Sequence, residues 1–249
     1  MPTAINSLKD DIGQAWRAFR AALLSREGLV IILCTLLIVT RSMVRSSDAL
    51  VDIMRWLYAQ TDINVLEFGH WKAVRIRVTA IVFFGLAPLL AIRFMHREAL
   101  TSFGLGRPKK GWIQLTLFIF ALQLLFIPLA AGIPSIADYY PMLKAADKPG
   151  LTFWQWEVIM LGAMISWELL IRGYLMFGLE KRFGIYAVLV QTMPFVLLHM
   201  SKPTPEIFFS LLDGLALGLI AYAARSIWPA VFLHAAGAFA LDFYLVHLA

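Results

Sequence analysis

The chain has 249 residues, of which 60% are hydrophobic and 15% are charged, and its formal net charge is +6. A soluble domain is closer to half apolar and a quarter charged, so this composition indicates a polytopic membrane protein. Most basic residues lie in loops, where they set membrane orientation, so the net charge does not indicate nucleic-acid binding. The single cysteine, Cys34, excludes a disulfide framework and a zinc site built on cysteines.

The N-terminal part of the chain contains two predicted spans and two predicted surface helices. Residues 1–28 combine charged and apolar residues at helical spacing, which predicts an amphipathic helix at the membrane interface. The first span covers about Leu29–Val44, with Arg41 near its far end, where its side chain is expected to snorkel. The segment Ala49–Tyr58 is predicted to form a second surface helix, and the second span covers about Val78–Phe94.

Three spans follow a strongly basic loop. The loop from about Arg93 to Lys110 has five basic residues against one glutamate, which marks it as cytoplasmic. The third span is predicted over Trp112–Ile133 and the fourth over about Leu151–Leu179. The fifth covers Phe183–Met200, with a kink at Pro194.

Two further spans complete the predicted bundle, at Glu206–Ala224 and at Trp228 to about Leu248. Gly214 and Gly218 form a small-residue packing face on the first of these. Loop charges place the N-terminus in the cytoplasm and the C-terminus outside. We therefore predict an all-α fold, a transmembrane helical bundle of about seven or eight spans plus the N-terminal amphipathic helix. Three regions are expected: residues 1–28, residues 29–150 and the C-terminal helices over residues 151–249.

The fourth span contains an ion pair where hydrocarbon is expected. Glu168 and Arg172 are four residues apart, so they lie on one face of a helix, one turn from each other. Each charge is costly inside a bilayer unless it is paired or faces a water-filled cavity. The pair therefore predicts a functional site whose other members lie on neighbouring spans.

Two histidines are the candidate partners, His199 on the fifth span and His234 on the seventh. A buried carboxylate with two imidazoles can activate water, with Glu168 as general base and an imidazole that shares the water or donates to the oxyanion. Arg172 would hold Glu168 in one rotamer, and Phe195, four residues before His199, would form an aromatic wall. The set Glu168, His199 and His234 also suits zinc, as in catalytic sites with two histidines and one glutamate.

The order of these residues resembles a known family. Glu168-x-x-x-Arg172-Gly173, Phe195-x-x-x-His199 and His234 follow one another on successive apolar segments. This series is similar to the CPBP family of CAAX-protease and bacteriocin-processing intramembrane proteases, also called the ABI family, with motifs EExxxR, FxxxH and HxxxN. The likeness extends over about Thr152 to Ala240.

The resemblance implies a helical membrane bundle and proteolysis by a glutamate-activated water. Glu168 and Arg172 match the second glutamate and the arginine of the first motif, while His199 and His234 match the histidines of the second and third. Two positions depart from the family pattern. Trp167 stands in place of the first glutamate, so either the site is rotated and Glu168 is the base, or activity is lost.

The second departure is in the third motif, where Ala238 stands in place of the asparagine. We expect Asp242, two turns beyond His234, to orient that imidazole instead. A second expectation concerns depth. Charge bias places His199 near the external end of its span and His234 near the cytoplasmic end of its own. The rise of 1.5 Å per residue then gives an offset on the order of 15 Å, too large for one shared water.

These observations predict an intramembrane endopeptidase of a bacterial cytoplasmic membrane. Its expected partners are the lipid bilayer and a peptide or membrane-anchored protein substrate, with no nucleic acid. No cofactor is expected apart from the zinc alternative. An inactive relative that binds peptides or partner membrane proteins, in an immunity or scaffold role, is one rival. The other is a proton-coupled transporter, which the absence of an internal repeat disfavours.

Overall fold

The computed structural model describes residues 2–45, 52, 56 and 71–249, and for residues 2–9, 71 and 72 it describes the backbone alone. Within these ranges the chain forms helices and no strand. Five helices are long and apolar enough to cross a membrane, and two shorter apolar helices accompany them. The predicted all-α membrane bundle is confirmed. The helix predicted over Ala49–Tyr58 lies outside the described residues, except that Asp52 and Trp56 are helical.

Nine helices account for most of the described chain. They are α1 (Pro2–Leu23), α2 (Arg26–Val44), α3 (Ala73–His96), α4 (Trp112–Leu124), α5 (Ile127–Ala131), α6 (Leu151–Phe183), α7 (Tyr186–Leu198), α8 (Thr204–Ala224) and α9 (Trp228–His247). The long apolar helices are α2, α3, α6, α8 and α9, while α4 and α7 are the shorter ones. Single helical turns at Leu100–Phe103, Pro134–Ala137 and Lys144–Ala146 lie in the connections.

The predicted N-terminal amphipathic segment divides into two helices. The first ends at Leu23, and the Ser25 side chain begins the second by accepting a hydrogen bond from the Gly28 N–H at 3.1 Å. On α1 the apolar residues Ile12, Trp16 and Phe19 are exposed in a row of helical spacing. An exposed apolar row of this kind is typical of a helix that lies in the membrane interface.

The third predicted span is wrong as one continuous helix. Helix α4 ends at Leu124, and α5 begins at Ile127 after a turn. Pro128 explains the break, because it has no N–H for helix bonding and its ring clashes with the carbonyl four residues earlier. The turn leaves the end of α4 and the start of α5 beside the C-terminal helices.

Helix α6 is the centre of the bundle. It is 33 residues long and packs against α2, α3, α7, α8 and α9. Residues Leu169–Phe177 are π-helical and are all buried. The helix extends beyond the predicted Leu179 to Phe183, and Glu180 in this added turn pairs with Arg225. Glu168 and Arg172 lie at the start of the wider π-helical part, a feature that is frequent at functional sites.

The predicted glycine packing face of α8 is confirmed. A Cβ on Gly218 would lie 2.4 Å from Nε2 of Gln191 and 2.9 Å from Cγ1 of Val188, both on α7. Nε2 of Gln191 donates to the carbonyl oxygen of Gly214 at 2.7 Å. The two glycines therefore let α7 and α8 approach closely, which holds the end of α7 against the core.

Candidate active site

Glu168 is the centre of a buried polar group that joins α6 to α9. Its Oε1 accepts a hydrogen bond from Nη1 of Arg172 at 2.8 Å and lies 2.7 Å from Nδ1 of His234. Glu168 and Arg172 are both 0% exposed. A buried ion pair is stable only when further hydrogen bonds support it, and His234 supplies one to the carboxylate. The expected meeting of α6 and α9 side chains is present in the structure.

Phe195 on α7 forms the aromatic wall of this group. Its ring centroid is 4.5 Å from that of His199 and 5.8 Å from that of His234. The guanidinium carbon of Arg172 lies 4.0 Å from the centre of the Phe195 ring, within cation–π range. Phe195 therefore contacts both imidazoles and orients the arginine.

Both histidines use Nδ1 for a hydrogen bond inside the protein. Nδ1 of His199 donates to the carbonyl oxygen of Phe195 at 2.7 Å, because a carbonyl can only accept. Nδ1 of His234 faces the Glu168 carboxylate in the same way. In the neutral rings Nε2 is then the proton acceptor, the arrangement that a general base needs.

The expected difference in depth between the histidines is wrong. Their ring centroids are 6.4 Å apart. Helix α7 has 13 residues and is about 20 Å long, shorter than the hydrocarbon core of a bilayer, so His199 does not reach the far side. The two rings therefore lie within reach of one substrate peptide bond.

A cavity of about 500 Å³ lies against these histidines. His199, His234 and Asp213 line it, whereas Glu168 and Arg172 are absent from the described lining residues. The carboxylate thus lies behind the imidazole of His234, as seen from the cavity. A second, apolar groove of about 800 Å³ runs between α4, α6 and α9 and shares a wall with the cavity. The shared wall consists of Met160, Met164 and Ala238.

The two positions that depart from the family motifs both face the cavity. Trp167 and Ala238 line it together with the histidines. The Trp167 ring lies 5.5 Å from the ring of His199 and packs edge-on against Phe84. A tryptophan here adds apolar surface, and the carboxylates among the described lining residues are those of Glu206 and Asp213 on α8.

The fold does not place the Asp242 side chain beside the imidazole of His234. Nδ1 of that imidazole is bonded to Glu168, and the electrostatic neighbours of Asp242 include Glu157, Lys202 and Arg77. Eight residues separate it from His234 along α9, a rise of about 12 Å. The position therefore cannot substitute for the missing asparagine, which is four residues from its histidine.

The zinc alternative does not fit the residues present. Among residues 2–45, 52, 56 and 71–249, no group of three His, Cys, Asp or Glu side chains is arranged to hold a metal ion. Zn–N distances of about 2.0 Å and tetrahedral angles place two ligand imidazole centroids about 5 Å apart. The 6.4 Å between His199 and His234 is longer, and Oε1 of Glu168 already contacts Arg172 and His234.

The cavity continues into a polar cluster that the sequence analysis did not assign. Tyr140, Lys202 and Glu206 line it. Nζ of Lys202 lies 2.8 Å from Oε1 of Glu206 and also donates to the Tyr140 hydroxyl, which donates to Glu206 at 2.7 Å. Burial raises the pKa of Tyr140 and lowers the pKa of Lys202, while Glu206 raises both. The sequence feature that could have indicated this cluster is Lys202-Pro203, which begins three residues after His199.

The fold and the site define a class: a multi-pass helical membrane protein with a carboxylate–imidazole pair at the wall of an internal cavity. Residues 149–240 match the family model described as Rce1-like, type II CAAX prenyl endopeptidase Rce1-like. This segment contains Glu168, Arg172, His199 and His234, so the resemblance carried by the motifs is confirmed for this part of the chain. The match supports a function of the intramembrane endopeptidase kind, with a peptide or protein substrate. No curated protein and no solved structure matches the chain.

Proposed function

We propose that the protein is an active intramembrane endopeptidase in which His234, oriented by Glu168, activates the attacking water. The observation that carries the proposal is the 2.7 Å contact between Nδ1 of His234 and Oε1 of Glu168, on the wall of the cavity. The sequence led us to expect Glu168 itself as the base. Because Glu168 is fully buried behind His234, its negative charge acts through the imidazole.

The proposed reaction is hydrolysis of an amide by general base and general acid catalysis. Nε2 of His234 removes a proton from water as the oxygen attacks the peptide carbonyl carbon. Glu168 holds the Nδ1–H tautomer and stabilises the imidazolium that forms, as the carboxylate does in a catalytic triad. The proton then passes to the leaving amine as the C–N bond breaks. Arg172 fixes Glu168 through its hydrogen bond at 2.8 Å.

His199 is the proposed second partner of the attacking water. Its ring lies 6.4 Å from that of His234. Nδ1 of His199 donates to the Phe195 carbonyl, which keeps the ring in one orientation, so Nε2 of the neutral ring is an acceptor and shares the water with Nε2 of His234.

The apolar groove between α4, α6 and α9 is the proposed entrance for substrate. It is open to the side of the bundle and meets the cavity at Met160, Met164 and Ala238. A hydrophobic segment in this groove would bring an adjoining peptide bond to the histidines. The substrate is therefore a membrane-associated or C-terminally anchored peptide or protein, and the site of action is a bacterial cytoplasmic membrane.

Cleavage by the purified full-length protein tests the proposal. The protein in proteoliposomes is incubated with a mixture of fluorogenic membrane-anchored peptides, and products are identified by mass spectrometry. His234→Gln is expected to abolish cleavage, whereas His247→Gln, the same change at the end of α9, leaves it unchanged. Undiminished cleavage by the His234→Gln variant would rule out this imidazole as the base.

A peptide-binding protein without catalytic activity is the second candidate. The observation in its favour is that Trp167 and Ala238 line the cavity where the family motifs have a glutamate and an asparagine. Such a protein would retain bound peptides in the proteoliposome experiment and release no product. A product that depends on His234 excludes this candidate.

A further inference from the structure

A second pocket, of about 330 Å³, lies at the opposite end of the bundle from the basic loop between α3 and α4. Among the residues that the structure describes, five basic side chains and one carboxylate, that of Asp138, line it, and one of the five, Lys202, is already paired with Glu206. The basic residues are Arg41, Arg45, Arg77, Lys144 and Lys202. They come from the end of α2, the start of α3 and two connecting segments, and the fold brings them together.

Membrane orientation does not explain this concentration of charge. The loops at the other end of the bundle are the more basic ones, and basic residues that set orientation are solvated in such loops. Arg41 and Arg77 are instead buried, with 3% and 7% exposure. The expectation that Arg41 snorkels is therefore wrong. Neither arginine forms an ion pair with a carboxylate among the described residues, although Arg77 has Asp242 and Glu206 in its surroundings.

Aromatic rings hold both guanidinium groups in place. Arg41 lies 5.0 Å from the Phe84 ring centre, and Arg77 lies 5.6 Å from that of Trp156. In the part of the chain that the structure describes, Nε of each arginine is buried without a hydrogen-bond partner. A buried N–H without an acceptor is costly, and a guanidinium fork is the preferred partner of an oxyanion. These two groups are therefore preorganised for an anionic ligand.

The pocket is continuous with the catalytic cavity. Arg77, Trp167 and Lys202 line both spaces. The backbone N–H of Lys202 donates to the carbonyl oxygen of His199 at 2.9 Å, so the two residues share one turn. The basic pocket therefore adjoins the part of the cavity that His199 lines, and one extended peptide, at about 3.3 Å per residue, can enter both spaces.

We propose that this pocket binds a carboxylate of the substrate peptide, and so selects peptides that carry one close to the cleaved bond. The inference rests on the proposed endopeptidase function and adds the substrate class. Continuity with the cavity favours a carboxylate within the substrate over a separate anion, because the same extended chain reaches both sites. The carboxylate is either the peptide C-terminus or an acidic side chain, and both suit a guanidinium fork.

Binding to a variant that does not cleave separates this inference from the proposed function. The full-length His234→Gln protein is titrated with N-acetyl-trialanine as the free acid and as the C-terminal amide, with N-acetyl-Ala-Asp-Ala amide, and with inorganic phosphate. We expect the free acid or the aspartate peptide to bind at least about tenfold more tightly than the trialanine amide, equal to about 1.4 kcal/mol. Which of the two binds identifies the source of the carboxylate.

Substitutions locate the binding site. Arg77→Gln in the same background is expected to remove the preference for the acid. Arg93→Gln, the same change at the exposed opposite end of α3, is expected to retain it. If Arg77→Gln does not fold, the half-buried Arg45→Gln is used in its place, with a smaller expected loss. Equal binding of acid and amide, binding of phosphate alone, or no binding of any probe at millimolar concentration overturns the inference, whatever the wild-type protein cleaves.

Discussion

Oε1 of Glu168 lies 2.7 Å from Nδ1 of His234, a contact that joins residues 66 positions apart and connects α6 to α9. The same oxygen accepts a hydrogen bond from Arg172. One carboxylate oxygen thus fixes the orientation of the imidazole and is itself fixed by the guanidinium. Three side chains that are each costly in an apolar environment become mutually stabilising, and only one of them, His234, lines the cavity.

Glu168→Gln tests whether the carboxylate acts through the imidazole. The amide oxygen can still accept the Nδ1–H bond but carries no charge to stabilise the imidazolium. We expect kcat to fall by about 10²- to 10⁴-fold with little change in KM. Glu180→Gln, near the C-terminal end of the same helix, serves as the control and should retain full activity. A Glu168→Gln enzyme that differs mainly in KM would indicate a role in substrate binding instead.

Arg172→Met tests the stabilising part of the same contact. The change leaves the buried carboxylate of Glu168 without its cation, so we expect the free energy of unfolding to fall by about 3–5 kcal/mol. Unfolding in mixed detergent micelles, followed by tryptophan fluorescence, measures the difference. The double variant with Glu168→Gln should recover part of this loss, because both charges are then absent. Losses that simply add would show that the two side chains do not interact.

Gly218→Val tests the close approach of α7 and α8. Any Cβ at this position meets Gln191 and Val188, so the valine side chain forces the helices apart. Overpacking of this kind costs about 1–3 kcal/mol. Ala223→Val, at an exposed position of the same helix, is the control and should change stability little. Because α7 ends at His199, activity should fall together with stability, and equal melting temperatures for both variants would contradict the packing argument.

Most of the helical architecture follows from composition and hydropathy. The long apolar runs predict α2, α3, α6, α8 and α9 to within a few residues. In the bilayer core every backbone N–H and C=O group must be hydrogen-bonded within the protein, and a helix meets this requirement. The third span is the exception. Hydropathy alone extends it through Ile133, whereas Pro128 divides it after Leu124. The proline is visible in the sequence, but its effect competes with an otherwise uninterrupted apolar run.

The site is predictable in its members and not in their arrangement. The order of Glu168, His199 and His234 on apolar segments indicates that they act together, since isolated charges are costly there. The sequence does not reveal which of them faces the cavity, because helix rotation and depth depend on packing. Arg41 was expected to snorkel, and Arg77 was given no role, for the same reason: near the ends of spans, the sequence does not distinguish a solvated arginine from a buried one.

Glu98 gives a prediction for the dependence of stability on pH. It lies outside the spans, and Nε of Arg26 is 2.5 Å from its Oε1. The hydrogen bond from Arg26 lowers the pKa of Glu98 from 4.5 to about 2. Since the folded-state pKa is the lower one, the carboxylate stabilises the fold fully above pH 4.5, and this contribution is lost as the pH falls toward 2.

The measurement for Glu98 is the melting temperature of the wild type and of Glu98→Gln in detergent between pH 7 and pH 2.5. At pH 7 the variant should melt at a lower temperature, and the difference should shrink as the pH falls below about 4.5. Asp147→Asn, in the loop before α6, serves as the control. A difference that stays constant over the whole range would show that the Arg26 contact does not depend on the charge of Glu98.

Ala238 offers a matched test of the wall shared by the cavity and the groove. Asparagine and leucine side chains have the same number of heavy atoms and the same branching, so Ala238→Asn and Ala238→Leu both narrow the space, leucine more so, and they differ in polarity. Residue 238 is one turn from His234 on the cavity wall, the place that an asparagine has in the family motif. An amide there can donate a hydrogen bond to the oxyanion, which leucine cannot.

We expect Ala238→Asn to retain or raise kcat/KM, and Ala238→Leu to lower it by about tenfold, which is 1.4 kcal/mol in the transition state. Ala236→Leu, which lines the groove alone, should raise KM and leave kcat unchanged, because it hinders substrate entry without reaching the histidines. Equal losses for the asparagine and leucine variants would show that only volume matters at position 238. The correspondence of this residue with the third-motif asparagine would then be wrong.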